Sequence, residues 1–164
     1  VPPTPSTGFP KAPVAIAASV VVVVVAVLVL LARRTPPPPP NTLQPEAPYA
    51  ASLALSGVAM SQASSFSGIQ SVYIEGHLAN HGASTVTGVT VQVVFPNDVQ
   101  MPPQIQTLPI ALIRTREPAV DTEPISAEPL APSAQADFRL TPDPIYQSWN
   151  QQLPQIRIIH VNTR

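Results

Sequence analysis

The residues best suited to chemistry in this chain are three histidines, His77, His81 and His160. The first two stand four apart around a predicted turn, and a returning strand carrying His160 could complete a three-histidine metal site. No Asp or Glu motif accompanies them, and isolated histidines are common on protein surfaces, so no metal ligand is assigned. Serines are plentiful, but none sits in a G-x-S-x-G elbow that would expose a nucleophile. The carboxylates between Glu117 and Glu128 alternate with prolines, as in a solvated loop rather than a catalytic pair. Walker, G-x-G-x-x-G and EF-hand spacings are missing from the sequence. Without cysteine there is no disulfide framework, thiolate nucleophile or cysteine-ligated cluster. The sequence therefore points away from an enzyme, names no catalytic, cofactor-binding or metal residue, and calls for no cofactor.

Charge narrows the partners. The formal net charge of −1 hides an asymmetry: Lys11, Arg33 and Arg34 flank one apolar stretch, and the remainder is mildly acidic. No basic stripe exists to follow phosphates, so nucleic acid is not an expected partner.

The elements that would position any site are organised around residues 14–32, an uncharged run that includes six consecutive valines, Val20 to Val25, and stops at Arg33-Arg34. As a helix this run covers roughly 28 Å, close to the roughly 30 Å hydrocarbon core of a bilayer. It reads as a single transmembrane helix retained as an anchor, since a signal peptide has a shorter apolar core and a cleavage site. Ala15, Ala18 and Ser19 form a small-residue face that would let a neighbouring helix approach. Lys11 before the span and two arginines after it lean toward a cytoplasmic C-terminal side.

Residues 1–13 form a proline-rich tail, irregular unless a partner holds it. Residues 33–50 make a linker in which Pro36 to Pro40 should adopt polyproline II, a spacer of about 15 Å. An SH3-like or WW-like ligand is the less economical reading of a run next to a membrane.

Residues 51–164 change to a period of two. Leu53, Leu55, Val58 and Met60 suggest a strand bulged at Ser56-Gly57. From Ser71 to Asn80, Val72, Ile74, Gly76 and Leu78 face one way and Tyr73, Glu75, His77 and Ala79 the other, before a turn at Asn80-His81-Gly82. Val89, Val91, Val93 and Phe95 line a buried face, ending at Pro96-Asn97-Asp98. Ile105 to Ile113 is a strand interrupted by Pro109, hence an edge or bulged strand. A short strand is expected near Ile125, then Ala136, Phe138 and Leu140 alternate, and Ile156, Ile158 and His160 alternate with Arg157, Ile159 and Val161. About seven such strands predict an all-β fold, an immunoglobulin-like antiparallel β-sandwich. Trp149 would fill the end of its core, or lie exposed with Tyr146 as an anchor for a partner.

The stretch Tyr73-Ile74-Glu75-Gly76-His77-Leu78-Ala79-Asn80-His81-Gly82, followed by Val86-Thr87-Gly88-Val89-Thr90-Val91-Gln92-Val93, resembles the opening of FxLYD-like domains. Leu130-Ala131-Pro132-Ser133-Ala134-Gln135-Ala136-Asp137-Phe138-Arg139 resembles their later L-x-P-G-x-x-x-x-F segment, with Ser133 where that pattern usually has glycine. The tail, the span and the ending around Trp149-Asn150-Gln151-Gln152-Leu153-Pro154 are similar to a bacterial single-span membrane-protein family of unknown function. The resemblance covers roughly Leu53 to Val161. It implies a non-catalytic sandwich in a bacterial inner membrane and assigns no active residues.

These readings converge on an accessory or structural subunit of a larger membrane complex, of respiratory or photosynthetic type. Its partners would be membrane lipid and other membrane-protein subunits. The alternative is a free-standing, membrane-anchored module that captures a peptide, glycan or envelope component through a sheet edge or loops.

Overall fold

The computed structural model describes residues 39, 41–64, 70–98 and 101–164. The tail, the expected span with Ala15, Ala18 and Ser19, and most of the polyproline run lie outside the described residues. Among the described residues, no helix is long and apolar enough to cross a membrane.

After a short 3-10 turn, Pro48–Ser52, eight strands follow in chain order: β1 (Leu53–Ser64), β2 (Gln70–Asn80), β3 (Val86–Phe95), β4 (Gln104–Pro109), β5 (Ala111–Thr115), β6 (Asp121–Pro124), β7 (Gln135–Leu140) and β8 (Gln155–Thr163). They form two antiparallel sheets, one of five strands in the order β1-β2-β7-β5-β6 and one of three in the order β4-β3-β8. Ile74, Leu78, Leu112, Phe138 and Leu140 from the larger sheet join Val89, Val91, Val93, Phe95 and Ile158 from the smaller in one core. The alternation in β2 and β3 encodes this directly, because successive side chains leave a strand on opposite faces.

The expected bulge is present. Pairing of β1 with β2 slips between Ser56 and Ala59, and Gly57 between them has φ +60°, a conformation that costs glycine nothing. Gly57 also admits the ring of His77, whose Cδ2 would lie 2.9 Å from an added Cβ.

The single interrupted strand expected over Ile105 to Ile113 is two strands in different sheets. β4 is an edge of the three-stranded sheet and pairs with β3, whereas β5 pairs with β6 and β7 in the other. Pro109 cannot continue the ladder, and Ile110, buried, turns the chain from one sheet to the next with its N–H on the carbonyl of Val89 at 2.9 Å. This split brings the count to eight rather than seven, and the strand expected near Ile125 is β6, ending one residue earlier. Ser133 has φ +64°, in the left-handed region that favours glycine.

Three buried glutamines, Gln92, Gln104 and Gln106, hold irregular segments against the three-stranded sheet. Gln106 receives the Asp143 N–H at 2.8 Å and donates to the Asp143 carbonyl at 3.1 Å. Gln104 receives the Tyr146 N–H at 2.8 Å and donates to the Pro144 carbonyl at 3.1 Å. Gln92 receives the Gln44 N–H at 2.8 Å and donates to the Thr42 carbonyl at 2.9 Å. Each amide thus replaces the missing strand partner of a segment next to prolines.

Candidate functional site

The outer face of the five-stranded sheet carries a row of charged groups that β2, β7 and the chain after β5 assemble. Cross-strand register sets Glu75 opposite Arg139 and His77 opposite Asp137. Arg139 donates from Nε to Glu75 Oε1 at 2.8 Å, with Nη2 on the same oxygen, and its guanidinium lies 4.5 Å from the centroid of the Tyr73 ring. Arg116 bridges the strands, giving 2.8 Å bonds from Nη1 to Glu75 Oε2 and from Nη2 to Asp137 Oδ2. His77 Nδ1 lies 2.5 Å from Asp137 Oδ1. The order along the sheet is Tyr73, Arg139, Glu75, Arg116, Asp137, His77.

The hydrogen bond from Arg116 holds the Glu75 carboxyl below its usual range against the opposing cost of burial, with Arg139 assisting. The same guanidinium, and then His77, lowers Asp137. In return the two carboxylates raise the already high pKa of Arg116. Both carboxylates are therefore charged throughout the neutral range, matched by two arginines.

At the end of this row a depression of about 550 Å³ is lined by Ser56, His77, Gln135, Ala136 and Asp137. Ser56 faces His77 in register as His77 faces Asp137, so a hydroxyl, an imidazole and a carboxylate line up across three strands. Nucleophilic catalysis requires the hydroxyl to bond the ring. Among the described residues, Ser56 makes no such bond. His81 and His160 do not join His77: His160 sits on β8 of the other sheet beside Asn162 Oδ1, 2.9 Å away. Among the described residues no group of three metal-ligating side chains comes together.

The predicted anchors Tyr146 and Trp149 lie on the segment between β7 and β8. Trp149 meets Phe95 edge-on, ring centroids 6.2 Å apart, and its indole N–H donates to the Gln152 carbonyl at 3.0 Å. It closes the end of the core while staying half-exposed, and Tyr146 is exposed. Met60, Val72, Ile145, Tyr146 and Trp149 line a groove of about 850 Å³ beside them. Asn150 accepts the Gln152 N–H at 3.1 Å, as expected of a turn residue.

Sequence reasoning missed two parts of this surface. The charged row needs the register between β2 and β7, some sixty residues apart, of which the alternation of Tyr73, Glu75 and His77 was the one local signal. The groove needs the path of the proline-rich segment 141–149, which has no period to read.

Fold and surface define an all-β, sandwich-like domain with a self-neutralised polar face and an aromatic end. The chain belongs to the DUF2393 family, described as proteins of unknown function, whose model matches residues 53–158. No curated protein matches the chain, and no solved structure does.

Proposed function

We propose that this is a non-catalytic, single-pass membrane protein that recruits a protein partner along the free edge of β1, as an accessory subunit of a membrane complex. The observation that supports it is β1 itself. This twelve-residue strand carries no charge and no proline, and among the described residues it pairs with β2 alone. A long edge without charges or prolines is a template for another strand. Beside the start of β1, a depression of about 320 Å³ is lined by Leu53, Leu55, Ile156 and Ile158 together with Glu46 and Arg157, which offers an added strand both apolar and charged contacts.

The immunoglobulin-like class and the likeness to FxLYD domains belong to the same proposal. They draw support from the chain's passage between sheets at β2–β3, β4–β5 and β7–β8. The edge equally suits a free-standing module that captures an extended peptide.

Purification of the full chain from its membrane in mild detergent tests the reading. A stoichiometric partner should accompany the native chain and be lost from a Ser61→Lys, Ala63→Lys variant, while Arg116→Ala retains it. A chain that runs alone refutes the subunit reading. Binding of an extended peptide by that lone chain, abolished by the same two lysines, would select the capture module instead.

A further inference from the structure

The exposed large apolar side chains of the described domain are Leu43, Met101, Tyr146 and Leu153, at 51, 55, 60 and 61 % of full exposure. They gather toward one end of the domain. Met101 lies between β3 and β4, its N–H on the Asp98 carbonyl at 3.1 Å. Tyr146 is pinned to Gln104 at the start of β4. Leu153 precedes Gln155, which pairs with Val94 near the end of β3. Leu43 sits between the two residues clasped by Gln92, three positions from that end. Half-exposed Trp149, bridged to Asn97, joins them.

The charge of this end is also distinctive. Segments 96–98, 101–104 and 141–155 contain Asp98 and Asp143 and no Lys or Arg, and Arg157, opposite Gln92 near Leu43, is engaged by Glu46 at 3.4 Å, so a polyanion or an anionic lipid would find no unpaired cation in these segments. Tyr, Trp, Met and Leu around a half-buried rim suit the boundary between headgroups and acyl chains of a neutral bilayer.

The length of chain before the domain favours lipid as the occupant. The described chain reaches the sheet at the same end, where Asn41 Oδ1 accepts the Ile105 N–H at 2.7 Å. Eight residues, Arg33 to Pro40, separate the expected span from that point. Fully extended they reach about 28 Å, and the headgroup layer takes up roughly 6 Å of it. The join can therefore stand no more than about 22 Å beyond the headgroups, which keeps the bilayer within reach of this end.

We propose that the apolar end formed by Met101, Tyr146, Trp149, Leu153 and Leu43 rests in the interface of a zwitterionic bilayer, seating the domain on the membrane by apolar contact rather than charge. This rests on the reading of residues 14–32 as a membrane anchor.

Trp149 is the chain's one tryptophan, so its fluorescence reports on this end alone. The full chain is reconstituted into phosphatidylcholine vesicles, with spin labels placed either at the headgroup or deep in the acyl chains. Shallow labels should quench Trp149 about twofold and deep labels much less, as interfacial depth requires, with no change in high salt and no gain from anionic lipid. Met101→Ser, Tyr146→Ser and Leu153→Ser together, all at exposed positions, should remove the quenching while the chain still floats with the vesicles. A floating native chain with unquenched Trp149 overturns the proposal alone, as does quenching that salt abolishes. A chain that does not float overturns the anchor reading and this one with it. Shielding of Trp149 by an added protein partner, with no quenching by lipid, assigns the end to that partner and overturns the proposal as well.

Discussion

Asn80 is fully buried, and its amide organises the turn between β2 and β3. Nδ2 donates to the carbonyls of Ser84 at 2.9 Å, Leu130 at 3.1 Å and Ala131 at 3.2 Å. Oδ1 accepts from the Gly82 N–H and the Tyr49 hydroxyl, each at 3.1 Å. Glycine is required beside it, because a Cβ on Gly82 would fall 2.1 Å from the Tyr49 hydroxyl oxygen. Asn80→Ala leaves the Gly82 N–H without its partner and takes one bond each from the Ser84, Leu130 and Ala131 carbonyls and the Tyr49 hydroxyl, and should lower the unfolding free energy by about 3 kcal/mol. Tyr49→Phe, which removes one arm of the cluster, should cost about 1 kcal/mol. Denaturant unfolding of the two single variants and the double variant measures both losses, and a double variant no worse than Asn80→Ala shows that they act as one unit. The sequence marks Asn80-His81-Gly82 as a turn through residue type alone. It does not mark Tyr49, thirty-one positions away, as the residue that closes it.

At the scale of elements, β2 and β3 were legible because their alternation is strict and one face of each is buried. β4 and β5 were not separable, since Ile105 to Ile113 is apolar enough to read as one strand and the switch of sheet at Pro109-Ile110 leaves no periodic trace. The row from Tyr73 to His77 was half legible: the exposed face of β2 could be read, but Asp137, Arg139 and Arg116 reach it through tertiary register. Its contribution to stability has a definite sign. Glu75 and Asp137 have carboxyls lowered in the folded chain, first by the hydrogen bond from Arg116. Unfolding raises them toward the ordinary values of 4.5 and 3.8. The folded state therefore gains stability above those values and loses it as the pH falls through the lowered ones. Arg116→Ala removes the largest cause of both shifts, so the acid-unfolding midpoint should move to higher pH. A pH titration of circular dichroism checks it, and a variant with an unchanged midpoint would show that solvent screens the row completely.

At the scale of the whole molecule, the question is how a domain stays fastened to the chain that precedes it. The arm Asn41 to Gln44 has no strand of its own, yet it crosses the outer face of the three-stranded sheet and leaves Gln92 only 2 % exposed. Ala47 N–H then reaches the Ile158 carbonyl on β8 at 2.9 Å, so the arm is tied first to β4, then β3, then β8. Any pull on the linker meets these bonds before it meets the core, because β1 begins only after them. Gln92 ties the arm to the central strand, and its bonds are to backbone atoms, which makes the fastening indifferent to the side chains of the arm. Gln92→Ala should release Gln44 without unfolding the sandwich: its amide, bonded to Gln92 at 2.8 Å in the native chain, should exchange about tenfold or more faster, equivalent to roughly 1.4 kcal/mol of local opening. Amides of β2 and β7 should keep their protection, because neither strand touches the arm's bonds. Hydrogen exchange with residue resolution measures both. Equal loss of protection across all strands would mean that the arm is part of the cooperative core, and unchanged exchange at Gln44 would mean that Asn41 and Ala47 hold it without Gln92.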